Sequence, residues 1–429
     1  MRGSTDTIVA LATPVGRSAL QVVRISGPDT VAVLTALCRK LPPPRQAGLR
    51  TFRDEADVVL DRGLVLWFRG PQSYTGEDCG ELHLHGGVAV QAAIVRAVRH
   101  HGVRLAQPGE FTRRAVLNGR LDLVEAEAVA DLINAETELQ RSQALRQMQG
   151  ELGNIIATWT ARLRRLLATH EATIDFPDET EDNTPDPREV QSLISEMELM
   201  LTRGAASRVR NGVVVAITGA PNAGKSSLMN SLTQREMAIV SPQPGTTRDV
   251  LEARLILDGR LVTLLDTAGL RPTHDAIESE GVRRARQRAS DADIVLHLVE
   301  ANGGSSLPPP SSSGRILRVT TKCDLGPPFP GNCGVSTIGD PGTAPLLDHL
   351  LHHIRDLTDT SELAGFTRQR QQAAVENTVA ALRSSLIAVE PELVAEEIRR
   401  ALWELGRVTG KTDIEAVLDD IFSEFCIGK

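Results

Sequence analysis

Aromatic residues are scarce in this chain, at 3% of 429 residues, with a single tyrosine. A platform that stacks single-stranded nucleic acid needs several such rings, so that class is disfavoured. Cysteines are few as well: Cys38, Cys79, Cys323, Cys333 and Cys426. Their number is odd and no two are spaced C-x-x-C. Neither a disulfide framework nor a structural zinc site is supported, and a reducing cytoplasm is the expected location. No apolar run approaches the roughly 18 residues of a membrane span, so no membrane is expected. Met1 to Arg17 lacks a basic stretch followed by a long apolar core, so no secretory signal is expected. An excess of positive charge is missing too, with 47 bases against 55 acids and a net charge of −8. That argues against a non-specific nucleic-acid coat but leaves a local RNA contact open.

Lysine is the sharpest scarcity. Only Lys40, Lys225, Lys322, Lys411 and Lys429 are lysines, and the remaining 42 bases are arginines. The two are not interchangeable where a compact ammonium must enter a tight site, so each lysine calls for a reason.

Length suggests about three domains. Residues 1–119 read as mixed α/β, with strand-like runs at Ile8–Thr13, Val22–Ser26, Gly63–Phe68 and Glu81–His85. Asp29 is placed to cap one helix, and a second runs from about Val88 to His101. From Leu121 the apolar period becomes helical, through Leu152, Trp159, Leu163 and Leu166 to Ile174. Pro177 stops that run, and the acidic stretch Asp175–Glu189 reads as a solvated turn or linker before a helix at 189–203. At Gly212 the pattern changes again. Strand runs at Val213–Thr218, Ala253–Asp258, Leu261–Asp266, Ile294–Val299 and Arg315–Thr320 alternate with helical segments, which implies a mostly parallel sheet. Gly303–Gly314 and Gly326–Gly334 read as surface loops, and after about Leu350 the chain is helical again. The fold class expected is multidomain α/β plus α. Its parts are residues 1–119, a helical domain from 120–210 and 356–429, and an inserted α/β domain at 211–355.

Gly219-Ala-Pro-Asn-Ala-Gly224-Lys225-Ser226 follows a strand run and opens a helix, as a phosphate-binding P-loop must. Its glycines let backbone N–H groups turn toward phosphates at a helix N-terminus. Lys225 is expected at the β/γ-phosphates and Ser226 on Mg²⁺. Three further motifs follow. Asp266-Thr267-Ala268-Gly269 ends a strand, Gly245-Thr246-Thr247-Arg248-Asp249 lies in a polar loop, and Thr321-Lys322-Cys323-Asp324 ends another strand. Thr247 is the candidate second Mg²⁺ ligand. A carboxylate at Asp324 can accept from guanine N1–H and its 2-amino group. Adenine would leave it unpaired at a cost of about 1–3 kcal/mol, so GTP is preferred. Lys322 would lie along the base, and Ser336-Thr337-Ile338 is a candidate last loop at the guanine O6.

Many GTPases place a water-orienting glutamine directly after the D-x-x-G motif. Leu270 stands there and can neither donate nor accept. Arg248 and Arg271 are candidate arginine fingers. Glu278 is a carboxylate that could act through a bridging water; from the residues alone, a solvated acid at a helix start is the favoured reading.

The set G-A-P-N-A-G-K-S, G-T-T-R-D, D-T-A-G-L and the terminal Phe425-Cys426-Ile427-Gly428-Lys429 resembles the tRNA-modification GTPase family MnmE (TrmE). Tyr74-Thr-Gly-Glu-Asp78, His85-Gly-Gly87, Pro108-Gly-Glu-Phe111 and Leu121-Asp-Leu123 look like further landmarks, and the likeness runs through essentially the whole chain. The resemblance implies an α/β N-terminal folate-binding domain that dimerises, an all-α helical domain and an inserted Ras-like P-loop G domain. It implies K⁺ in the charge-neutralising role, ligated by Asn222, Ser241, Gln243 and Thr246, and Glu278 as the catalytic carboxylate. By the same motifs GTP meets Asn222, Ala223, Gly224, Lys225, Ser226, Ser227, Ser241, Gly245, Thr246 and Thr247. It also meets Asp266, Thr267, Ala268, Gly269, Thr321, Lys322, Asp324, Ser336, Thr337 and Ile338. A 5-formyl- or methylene-tetrahydrofolate is expected among Arg24, Glu81, Arg120 and Lys429. The implied partners are tRNA, a second copy of the chain, and the FAD-containing protein MnmG in a heterotetramer. Together they attach a 5-carboxymethylaminomethyl or aminomethyl group to the wobble uridine.

Two positions depart from the family pattern: Thr321 replaces the asparagine of N-K-x-D, and Arg120 replaces a lysine. His83 and His85 share one strand face, but with no third ligand in view a structural or folate-adjacent role is expected over zinc. The alternative function is a GTP-regulated RNA or ribosome assembly factor without modification chemistry. Arg24, Glu81, Arg120 and the Cys-Ile-Gly-Lys terminus favour the modification enzyme, since an assembly factor has no use for them.

Overall fold

The computed structural model describes residues 6–175, 187–235, 252–266, 290–303, 308, 314–339, 341–359, 365–412, 418, 421–422, 425 and 428. The chain opens with β1 (Ile8–Leu11), β2 (Ser18–Ser26), α1 (Thr30–Cys38), β3 (Gly48–Arg53), β4 (Val59–Phe68), β5 (Cys79–Gly86), α2 (Val88–His100), β6 (Arg104–Leu105) and α3 (Glu110–Leu117). A helical run follows: α4 (Leu123–Asn134), α5 (Glu138–Met148), α6 (Glu151–Asp175), α7 (Pro187–Thr202) and α8 (Ala205–Asn211). Next come β7 (Val213–Gly219), α9 (Lys225–Arg235), β8 (Glu252–Leu257), β9 (Arg260–Asp266), β10 (Ile294–Glu300), β11 (Arg315–Thr321) and β12 (Cys333–Gly334). The described helices end with α10 (Ala344–Leu357), α11 (Gln369–Ile387) and α12 (Pro391–Thr409). Among the described residues no helix is long and apolar enough to cross a membrane.

The chain divides into two compact units. One comprises Met1–Ala130, Gln147–Val190 and Asn377–Lys429; the other comprises Asp131–Arg146 and Gln191–Glu376. In the first unit a sheet is ordered β3-β4-β5-β2-β1-β6, antiparallel except for the β1·β6 pair. Alternation along its strands decides what each face carries. Val23, Ile25, Leu82 and Leu84 are buried with Leu34 of α1 and Ile94 of α2. Arg24, Glu81 and His83 take the opposite parity, and Arg24 sits directly across from Glu81. The helical part of this unit packs α6 against α12. Along α6, Leu152, Ile156, Trp159, Leu163 and Leu166 are buried at alternating steps of four and three. Leu418, Phe422 and Phe425 close a smaller core with Val116, Leu123 and Ala126.

The second unit holds a sheet ordered β12-β11-β10-β7-β9-β8, parallel except for the hairpin β8·β9. Asp258 and Gly259 turn that hairpin with φ of +50° and +72°, the positive values that a two-residue hairpin loop favours. Val215, Ile217, Leu264, Leu296 and Val319 form the core with Leu228 of α9 and Leu350 of α10. The parallel alternation expected from sequence is observed, and the chain is a multidomain α/β-plus-α protein.

Three details differ from the sequence reading. Strand β3 was not anticipated, because its two apolar residues, Leu49 and Phe52, do not alternate; Phe52 is buried and Leu49 is exposed. The loop expected at 326–334 ends in β12, which pairs with β11. The helix expected after about Leu350 begins at Ala344, with Pro345 in its first turn.

Candidate functional site

Among the described residues, the 219–226 loop, Asp266 and the 321–324 segment, all expected at a nucleotide, lie at the carboxyl ends of the parallel strands. The register pairs Ile217 with Asp266, Leu298 with Gly219 and Glu300 with Thr321. Strands β8 and β9 lie on one side of β7, and β10 to β12 on the other. The chain order therefore reverses around β7, which is where open α/β sheets bind ligands.

The loop after β7 has the backbone such a site needs. Gly219 has φ +145°, and a β-carbon there would lie 2.7 Å from the Leu298 carbonyl oxygen. Asn222 takes φ +70° and is exposed at the turn. Lys225 is buried at 8% exposure and its Nζ donates to the carbonyls of Gly219 (3.0 Å) and Ala220 (2.8 Å). An ammonium has three donors, so this geometry holds it within the loop with capacity for an anion. Ser226 Oγ donates to Asp266 Oδ2 at 3.0 Å, bringing together two hard oxygen groups suited to Mg²⁺. Ser227 is exposed beside it, while Ala223 is buried.

The residues expected at the base are tied to this loop. Thr321 Oγ1 donates to the Ala223 carbonyl at 2.8 Å, so the threonine bridges the two motifs. Lys322 has φ +58°, and its Nζ lies 2.9 Å from Glu300 Oε2. Ser336 is fully buried and its Oγ donates to Asp324 Oδ1 at 2.7 Å. The N–H groups of Ile338 and Gly339 in turn donate to that Oγ. Thr337 and Ile338 are exposed. Ser241, Gln243, Gly245, Thr246, Thr247, Thr267, Ala268, Gly269, Leu270 and Glu278, with Arg248 and Arg271, lie outside the described residues.

A second candidate site lies in the first unit. Arg24 Nε and Nη2 both donate to Glu81 Oε1, at 3.2 and 2.9 Å. The Arg24 guanidinium also sits 5.5 Å from the Tyr74 ring centroid and 5.8 Å from that of Phe111. Tyr74 is fixed by a 2.8 Å hydroxyl contact with Thr112. Burial pushes its phenol pKa up, against smaller opposing effects of Thr112 and Arg24. Arg120 is exposed and packs on the same 74–78 turn: a β-carbon on Gly76 would fall 3.2 Å from its Cγ. Lys429 and Cys426 lie outside the described residues, but Gly428 sits against β1, the strand that pairs with Arg24 through Ala10. His83 and His85 turn to separate carboxylates, Glu81 (3.3 Å) and Asp61 (2.7 Å).

Two family models match the chain: "GTP-binding protein TrmE N-terminus" over residues 7–120 and "MnmE helical domain" over residues 123–426. The chain belongs to the MnmE (TrmE) family. It is 50% identical over 439 residues to the tRNA modification GTPase MnmE of Granulibacter bethesdensis, covering 99% of this chain and 100% of that protein. The MnmE of Gluconacetobacter diazotrophicus is 48% identical, covering 98% of each chain. That of Parvibaculum lavamentivorans is 48% identical, covering 99% of this chain and 100% of its own.

Within this member of the MnmE family, some residues of both sites escaped the sequence reading. Glu300, which holds Lys322, is an acid at the carboxyl end of a buried strand, one step beyond the apolar run. Tyr74 and Phe111 were visible as landmarks without a role; the scarcity of aromatics was the signal that could have marked them.

Proposed function

We propose that this chain, a GTPase of the tRNA-modification family MnmE, hydrolyses GTP held between residues 219–226 and 321–324. That cycle drives modification of the tRNA wobble uridine. The observation that carries the reading is the hydrogen bond from Thr321 to Ala223, which joins base recognition and phosphate binding into one site. We assign the folate-binding domain to 1–119, the helical domain to 120–210 and 356–429, and the G domain to 211–355.

In this reading Lys225 neutralises the β/γ-phosphates, and Asp324, oriented by Ser336, accepts from the guanine edge. The oxygens of Ser226 and Thr247 would hold Mg²⁺, with Asp266 beside them; the ion supplies charge neutralisation across the phosphates. The close approach of Ser226 to Asp266 supports that donor set. K⁺ would be held by Asn222, Ser241, Gln243 and Thr246, and supplies the positive charge of an arginine finger. Leu270 cannot orient water, so Glu278 takes that task through a bridging water.

The second site supports a folate. Glu81 is a carboxylate of the kind that accepts from a pterin's ring N–H and amino groups, with Arg24 fixing its orientation. Arg120 and Lys429 offer positive charge to the glutamyl carboxylates. The bound tetrahydrofolate supplies the one-carbon unit. The working assembly is a cytoplasmic homodimer joined to the FAD-containing partner MnmG, acting on tRNA. A strain lacking this gene, complemented with the chain or with Lys225→Ala, tests the reading by mass spectrometry of wobble uridines. The parent restores the modified base and the variant does not. Equal restoration by the variant removes the GTP cycle from the reaction.

A further inference from the structure

Helix α10 buries Leu346, Leu350 and Ile354 under the sheet. At 3.6 residues per turn, its His349, His352, His353 and Asp356 fall on one common arc away from that face. The side chains meet there. His352 Nε2 lies 3.9 Å from Asp356 Oδ2, and one ligand atom each of His352, His353 and Asp356 falls within 4.8 Å of the other two. The rings of His349 and His353 are 4.9 Å apart, which puts a further imidazole within reach.

One observation beyond the clustering itself points to a cation here. The Arg315 guanidinium, from the start of β11, already sits in the cluster: it donates to His353 Nδ1 and lies 3.8 Å from Asp356 Oδ2. The Nδ1 lone pair of His353 and the Asp356 carboxylate are therefore both turned to a positive charge. The cluster also occupies the last turns of α10, where the negative end of the helix dipole favours a cation.

We propose that His352, His353 and Asp356, with His349 in reach, form a surface site for a Zn²⁺-class divalent ion that displaces the Arg315 guanidinium. Imidazole with one carboxylate suits zinc and its neighbours and not Mg²⁺ or Ca²⁺. Tetrahedral zinc bonds of about 2.0–2.1 Å put ligand atoms roughly 3.3 Å apart. The 3.9 Å pair closes to that by a small rotation of two exposed side chains. The ion would clamp α10 to the amino end of β11. Thr321 lies six residues along that strand, roughly 20 Å away. Metal binding is therefore separate from nucleotide binding, and the inference stands whether or not the nucleotide assignment holds.

The test is calorimetric titration of the untagged, chelator-stripped full chain with ZnCl₂, paired with the absorption spectrum of its Co²⁺ form. One equivalent binds at micromolar concentration, and the cobalt spectrum shows no thiolate charge-transfer band. Affinity falls at least tenfold in His352→Asn/His353→Asn and rises in Arg315→Gln. It is unchanged in His100→Asn/His101→Asn, a histidine pair elsewhere. GTP affinity equal to the parent's shows that the variants are folded. An equivalent of zinc retained by the His352/His353 variant, a thiolate band, or no binding by the parent overturns the proposal.

Discussion

Thr321 and Ala223 are 98 positions apart, yet the threonine hydroxyl donates to the alanine carbonyl at 2.8 Å. Both residues are buried, so no water replaces that bond. Where the family pattern has asparagine, the shorter threonine makes this bridge.

Thr321→Val removes the donor with little change in volume and leaves the Ala223 carbonyl unpaired. Such a loss costs about 1–3 kcal/mol, which corresponds to roughly 5- to 150-fold in an equilibrium constant. GTP affinity, read with a fluorescent nucleotide, falls by that order, while Thr321→Ser stays near the parent. A valine variant that binds GTP as the parent does would show that the bridge is passive.

Much of this was legible in the chain. The phosphate loop stood out because a fixed glycine spacing coincided with one of five lysines. The parallel sheet was readable because its buried strands are continuous apolar runs. Other features arise only when distant segments meet. Lys322 finds Glu300, and Ser336 finds Asp324, through strand register, and no local pattern encodes either pair. Strand β3 was missed for the opposite reason: its packing leaves one of its two apolar residues exposed, so no period appears.

Asn222 and Leu270 together predict a dependence on the alkali cation. A leucine cannot orient water, and the side-chain amide of Asn222, at φ +70° in the exposed turn of the loop, would offer an oxygen ligand close to the phosphates of a bound GTP. GTP hydrolysis should run at least tenfold faster in K⁺ than in Na⁺ at equal ionic strength. Asn222→Ala should abolish the difference and leave GTP affinity within a few-fold. Equal rates in the two salts count against a potassium role.

The first unit should lose stability in acid through Glu110. Burial pushes its carboxyl pKa up, but the Arg104 guanidinium, the Gln107 N–H and the Arg114 guanidinium outweigh that and leave it below the ordinary value. Its folded pKa is therefore lower than its unfolded one. The stabilisation is complete above the unfolded value, roughly 4.3, and is lost as pH falls through the folded one. Glu110→Gln should flatten the acid limb of stability against pH, measured by denaturant unfolding. Arg114→Met should do more harm, because it takes from Glu77 its 3.0 Å guanidinium partner and leaves Glu110 with Arg104 alone of its two. Breaking a buried pair in this way costs about 3–5 kcal/mol. A glutamine variant with the parent's full pH profile would remove Glu110 from this role.

The chain terminus makes the last prediction. Gly428 has φ +99°, and a β-carbon there would stand 2.1 Å from the Leu11 carbonyl oxygen and 3.1 Å from Ala12 Cα. Only glycine fits that approach to β1, and β1 borders the strand bearing Arg24. The chain at Gly428 is therefore held against β1 by a contact that a methyl group would break. Removing Lys429 should weaken binding of 5-formyltetrahydrofolate by about tenfold, or about 1.4 kcal/mol, in calorimetry. Gly428→Ala should do the same with the lysine still present, because the tail is pushed off β1. Glu81→Gln should weaken binding through a different contact, so its effect should add to that of the truncation. If truncation and Gly428→Ala both leave the affinity at the parent's value, the tail is no part of the folate site, and Arg24, Glu81 and Arg120 must hold the ligand without it.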